Sequence, residues 1–298
     1  MTLYTNVESN IRKTWLYLTG FFVVVIGVGW FFGSYLRNPD ILVFAVVLSI
    51  AMSVGSYWFS DKVAIAMTGA RAVSKQDAPE LYRIVENLSI TAGLPMPALY
   101  IVSDAQPNAF ATGRDPKHAA LAVTAGLLER LDRAELEGVV AHELSHIGNR
   151  DILLSTIVVV LVGIIALVSD FFLRMSLWGG RRDRREGNAG VILLIIGIAA
   201  AILAPLVAQL IQLGISRKRE FLADASGALL TRYPDGLARA LEKISAFPHS
   251  MRSSSNATAH LFIASPLRGK ESASWIAKLF MTHPPAAERI AALRNMSA

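Results

Sequence analysis

An α-helical membrane protein carrying an α+β soluble part is the fold class the sequence predicts, and three features carry that reading. The chain of 298 residues is 53% hydrophobic and only 17% charged, with a mean hydropathy of +0.44. That is too apolar for a disordered chain or an ordinary water-soluble domain. Four uncharged runs, residues 14–36, 41–60, 152–169 and 187–216, approach or exceed the roughly 20 helical residues that cross a hydrocarbon core about 30 Å thick. Outside these runs, short apolar stretches of helical and of strand period alternate with turn residues. Cysteine is absent, which excludes disulfides, thiolate metal sites and thiol catalysis. The net charge of +6 comes from Lys and Arg flanking the apolar runs. No basic stripe interleaved with aromatics accompanies them, so the charge points to membrane orientation and not to nucleic acid.

The runs pair into about four apolar helices in two hairpins. Only Arg37-Asn38-Pro39-Asp40 separates the first two, so residues 1–60 read as an N-terminal transmembrane hairpin. The first run is too long for the apolar core of a signal peptide, lacks a small-residue cleavage site and leads directly into the second. Arg12 and Lys13 precede the hairpin, and Lys62, Arg71 and Lys75 follow it. The positive-inside trend therefore places the N-terminus and the chain after residue 60 on the cytoplasmic side. Residues 61–151 read as a helix over 78–92, β-type runs at 98–102, 109–112 and 119–124, and two further helices starting near Thr124 and Asp132. Residues 152–216 hold the second hairpin. Its basic loop, with Arg174, Arg181, Arg182, Arg184 and Arg185, runs against the orientation trend, leaving open whether these two runs span fully or enter the membrane in part. Residues 217–298 are helical at both ends, with a Ser-, Asn- and Gly-rich stretch at 248–274 that reads as a mobile loop or lid.

Chemistry enters with His142-Glu143-Leu144-Ser145-His146. In a helix the two histidines, four residues apart, share a face. Both imidazoles can then reach one Zn²⁺, while Glu143, about 100° around the helix, faces a water beside the ion as general base. Beyond the fourth run, Glu220 and Asp224 are again four residues apart. Catalytic zinc commonly takes three protein ligands, such as two His and a Glu, and keeps a fourth position open. Glu220 fits as the third ligand. Asp224 fits as acceptor of the free N–H of a ligating imidazole. His146 and Glu220 lie 74 residues apart with two apolar runs between them, so the chain must cross the membrane an even number of times for them to meet.

These residues, with Asn149 and Asp151 after the motif, the Pro107–Gly113 segment, Thr282-His283-Pro284-Pro285 and Glu288-Arg289-Ile290, resemble the HtpX family of membrane zinc metalloproteases, gluzincins related to the CAAX prenyl proteases. The similarity covers nearly the whole chain. It implies a zincin-type α+β catalytic domain and one zinc per chain held by His142, His146 and Glu220, with Glu143 as base. It also implies an endopeptidase in a bacterial inner membrane, multi-pass and facing the cytoplasm. Its substrates would be polypeptides, membrane proteins among them, in the quality control of misfolded proteins under stress. On the same comparison His283 donates to the developing oxyanion, although Thr282-His283-Pro284-Pro285 reads equally as a helix start. Asn108 to Thr112 reads as an edge strand beside the zinc, with Asn108, Ala109 and Phe110 as candidates for the residues an extended substrate would join. Asn149 and Asp151 read as bracing the metal helix or as capping and ending it, and Arg289 is a candidate for supporting the ligands from behind or for binding substrate. His118, His249 and His260 carry no motif context and read as surface or loop residues. Two rivals stand beside this reading: an intramembrane site-2-type metalloprotease, and a membrane scaffold that binds metal without catalysis. The charges at Asp132, Arg133, Glu135, Glu137, Arg150 and Asp151 favour a site at the membrane surface over one inside the bilayer.

Overall fold

The computed structural model describes residues 3–35, 37, 39–157, 217–251, 258–266 and 284–296. Most of the third apolar run, all of the fourth, the basic loop between them and His283 lie outside the described residues.

The first two runs form helices α1 (Leu3–Tyr35) and α2 (Asp40–Thr68), packed side by side. Leu18 and Phe21 of α1 meet Met52 of α2, and Trp15 stacks on Tyr57 with ring centroids 6.1 Å apart. Leu153 and Ile157, from helical residues 151–157, complete this cluster. Among the described residues one window, Leu42–Phe59, is long and apolar enough to cross a membrane, with mean hydropathy 1.9 and only 12% of it buried. The helix does not stop at residue 60. It continues to Thr68 and ends on Gly69 in a left-handed conformation, the residue type that takes this cap without steric cost.

The sequence's turn and strand signals are realised closely. Helix α3 (Pro79–Ala92) starts with Pro at its first position and ends at left-handed Gly93. A four-stranded sheet follows, ordered β1 (Arg71–Ala72), β2 (Ala98–Val102), β4 (Ala119–Thr124), β3 (Ala109–Gly113). β2 and β4 are parallel; the other two pairings are antiparallel. Every residue of β3 and β4 is buried. Helix α4 (Ala125–Arg130) leads to α5 (Arg133–Gly148), which carries the histidine motif. A capping box sets its start: Asp132 accepts the Glu135 N–H, and Glu135 accepts the Asp132 N–H.

α5 sits in the middle of the main hydrophobic core. β3 and α3 flank it, together with α6 (Arg217–Thr231) and α7 (Pro234–Ala246). Its Leu136, Val139, Val140, Leu144 and Ile147 are all buried. The close approach requires glycine. A Cβ on Gly138 would lie 2.7 Å from the Leu237 nitrogen, and one on Gly227 would lie 3.0 Å from the His142 nitrogen. The last helix, α8 (Ala286–Asn295), begins after Pro285 and packs on α7 and α6.

Of the Ser-rich stretch, residues 248–251 and 258–266 are among those described. Residues 258–266 are mostly buried, with Phe262 fully buried edge-on to Phe110 at 5.1 Å. Leu261, Phe262 and Ile263 hold residues 258–266 in place by filling the core beside β3.

Candidate metal centre

Helix spacing places the imidazoles of His142 and His146 one turn apart on α5, with Nε2 atoms 3.2 Å from each other. Glu220, in the first turn of α6, brings its carboxylate oxygens to 3.8 Å from His142 Nε2 and 3.6 Å from His146 Nε2. The three side chains each offer a ligand atom within 4.8 Å of the others.

Each ring is oriented from behind. His142 Nδ1–H donates to Asp224 Oδ1 at 2.9 Å, and His146 Nδ1–H donates to Asp151 Oδ2 at 3.0 Å. A carboxylate on Nδ1 orients the ring and leaves Nε2 as the nitrogen that faces forward. Two ring nitrogens and a carboxylate thus converge on one point, a donor set that suits a divalent cation once His146 gives up its proton. Two nitrogens and one oxygen are the ligand chemistry of catalytic zinc, so the residues present fit the ion.

Asp224 is held in turn by Arg289, which is 1% exposed. Arg289 Nε and Nη2 donate to its two oxygens at 2.8 and 2.6 Å, and Nη1 donates to the Ile263 carbonyl at 3.0 Å. This paired, fork-on-fork contact is the strong form of the Arg–carboxylate pair. The buried Asp224 carboxyl would be pushed up by its burial, but Arg289 outweighs that and holds it at about 2. Burial chiefly pushes His142 down to about 4. Burial also opposes the charge on His146, yet the hydrogen bond to Asp151 and the negative charges of Glu220 and Asp151 raise it to about 9. Glu143 is pushed up to about 7, first by burial, with Glu220 adding to the effect; it accepts the Ala111 N–H of β3.

Asn108 is buried and ties the sheet to the 258–266 stretch: its Nδ2 donates to the Ala264 carbonyl at 2.9 Å, and its Oδ1 accepts from Ala264 and Ala109. Among the described residues β3 is an edge strand, and three of its outward groups are engaged. The Ala109 carbonyl accepts from Ile263, the Ala111 N–H reaches Glu143, and the Gly113 N–H donates to Thr156 Oγ1. At Ala109 the 258–266 stretch therefore already occupies part of the outer edge of β3. Asn149 caps the end of α5 and its carbonyl accepts from Asn10. Arg289 lies inside the site, bracing Asp224. The sequence reading left Asp151 between bracing and capping, and missed Asn10. Asp151 lies past the helix end and returns to His146 through Arg150, whose φ is +60°. Helical periodicity carries no signal of such a turn.

The model of peptidase family M48 matches residues 75–297. A protease HtpX homolog of Thermoanaerobacter pseudethanolicus is 45% identical over 300 residues, covering 99% of this chain and 98% of the relative. One from Tropheryma whipplei is 47% identical over 295 residues, with the same coverage. Among solved structures, S. mikatae Ste24p is similar over 95% of this chain and 67% of its own, at 16% identity and a TM-score of 0.49. With both motif histidines and Glu220 gathered at one point, and with relatives of this identity along its full length, the chain belongs to peptidase family M48 and is a metalloprotease of the HtpX type.

Proposed function

We propose that this metalloprotease is a zinc-dependent endopeptidase of a bacterial inner membrane, with its catalytic part on the cytoplasmic side, cleaving misfolded or damaged membrane proteins. One observation carries the reading: two imidazole Nε2 atoms 3.2 Å apart and the Glu220 carboxylate converge, with Glu143 buried on the same helix. His142, His146 and Glu220 would hold the ion and leave a position open. When bound, zinc supplies Lewis acidity at the scissile carbonyl and at the attacking water. Glu143 takes a proton from that water and passes it to the leaving amine. A value near 7 suits a group that must both accept and release a proton at neutral pH. The Ala111 N–H aims the Glu143 carboxylate. On the family resemblance His283 donates to the oxyanion.

The chain divides, in this reading, into an N-terminal transmembrane hairpin (1–60), a first catalytic part (61–151), a second membrane hairpin (152–216) and a second catalytic part (217–298). Support for the membrane placement comes from α2, whose apolar window faces outward. Trp15 and Trp58, near the basic ends of α1 and α2, are at least half exposed, as interfacial aromatics are. The test is casein cleavage by purified full-length protein loaded with zinc. Cleavage that stops with chelator and returns with zinc is the expected result. Metal-loaded, folded protein without peptidase activity on casein or on unfolded membrane proteins would overturn the proposal.

A further inference from the structure

We propose that Asn10, on the N-terminal helix, is a positioning residue for the metal ligand His146, so that α1 is a working part of the metal centre and not only its anchor. The inference rests on the metal-site reading above. Asn10 is 4% exposed, although asparagine is a poor residue for a helix interior. Its position is explained by what it holds. Nδ2 donates to Asp151 Oδ1 at 2.7 Å and to the Asn149 carbonyl at 3.0 Å. The other oxygen of the same Asp151 carboxylate accepts the His146 Nδ1–H at 3.0 Å. The chain of contacts thus runs from α1 through one carboxylate to a ligand imidazole, joining residues 141 positions apart in sequence.

Asn10 is one of three side chains that meet the Asp151 carboxylate. Asp151 lies beyond the end of α5, after left-handed Arg150, so the side chains around its carboxylate set its aim. Asn10 pins Oδ1 and simultaneously secures the carbonyl of Asn149, the residue capping α5. Arg219, the neighbour of Glu220 on α6, lies 3.7 Å from the same Oδ1. One carboxylate therefore gathers α1, the end of α5 and the start of α6, the two helices that carry the three ligands. α1 is kept in place beside it by Leu18 and Phe21 against Leu153 and Ile157, with Thr14 buried one turn on and bonded back to the Asn10 carbonyl at 2.9 Å. A shift of α1 along or away from this contact changes the donor available to Asp151, and through it the aim of His146.

Partners behind a metal ligand typically change affinity 10–100-fold when removed; Asn10 acts one bond further out, so about tenfold is expected. The experiment measures zinc dissociation constants by chelator competition on the full-length protein, alongside melting of the metal-free form. Asn10→Leu should weaken zinc about tenfold, whatever its effect on melting. A dissociation constant within twofold of the parent would overturn the inference, because a purely structural role moves melting and not affinity. A cycle of Asn10→Asp, Asp151→Asn and the double variant gives a second reading, decisive alone should Asn10→Leu fail to fold. The first single variant sets two carboxylates against each other. The double restores a hydrogen bond with its direction reversed, so its loss of affinity should be clearly smaller than that of the two singles combined. Additive losses would overturn the inference. Parent protein that binds no zinc at all would instead overturn the metal-site reading.

Discussion

Asp224 and Asp151 do the same work for two different histidines, and only one was readable from sequence. Asp224 shares a helical face with Glu220, so spacing announced it. Asp151 reaches His146 by a left-handed turn that no periodicity encodes. Glu143→Gln should keep zinc at parent stoichiometry and abolish proteolysis, since it removes the proton acceptor and leaves the three ligands; metal content and casein turnover measure both. His142→Ala and Glu220→Ala should each lose the metal, and unchanged stoichiometry in either would remove that residue from the ligand set. The proton on His146 sets a pH dependence. Its value in the metal-free protein is raised from 6.5 to about 9, so at neutral pH an incoming ion must displace that proton. Zinc affinity should therefore be level above about pH 9 and fall roughly tenfold per unit below it. Chelator competition between pH 7 and 9.5 reads the slope, and a flat profile would contradict the assignment.

At the level of elements, the motif helix was legible because its capping box lies in plain sequence, with Asp132 and Glu135 three residues apart. The strands were legible by composition, but their order was not. Parallel pairing of β2 with β4 and the insertion of β3 at the edge depend on contacts distant in the chain. The same holds for the glycines that let α5 approach its neighbours. Gly138→Ala would drive a Cβ to 2.7 Å from the Leu237 backbone nitrogen, and should destabilise the protein by about 1–3 kcal/mol through forced separation of α5 and α7. Gly227→Ala meets the His142 backbone at 3.0 Å. It should push α6, and Glu220 with it, away from the histidine pair, so its main effect is weaker zinc binding. Thermal melting and metal competition separate the two variants.

Across the whole molecule, the chain leaves the metal helix, passes through two apolar runs and returns with the third ligand. His142, His146 and Glu220 meet across that separation, as a shared metal site requires of them. The burial of residues 258–266 was not foreseeable. The 248–274 stretch around them reads as loop by composition, and three apolar side chains outweigh it once β3 offers them a surface. Nor could sequence show that the N-terminal helix touches the metal centre, since a single asparagine in a helix gives no indication of its partner. X-ray absorption at the zinc edge on the full-length, zinc-loaded protein tests the joint clasp most directly. The account predicts one zinc per chain, with two imidazole nitrogens and a carboxylate oxygen in its coordination sphere, the oxygen signal changing in Glu220→Gln. A spectrum with no imidazole contribution, or one that Glu220→Gln leaves untouched, would contradict it.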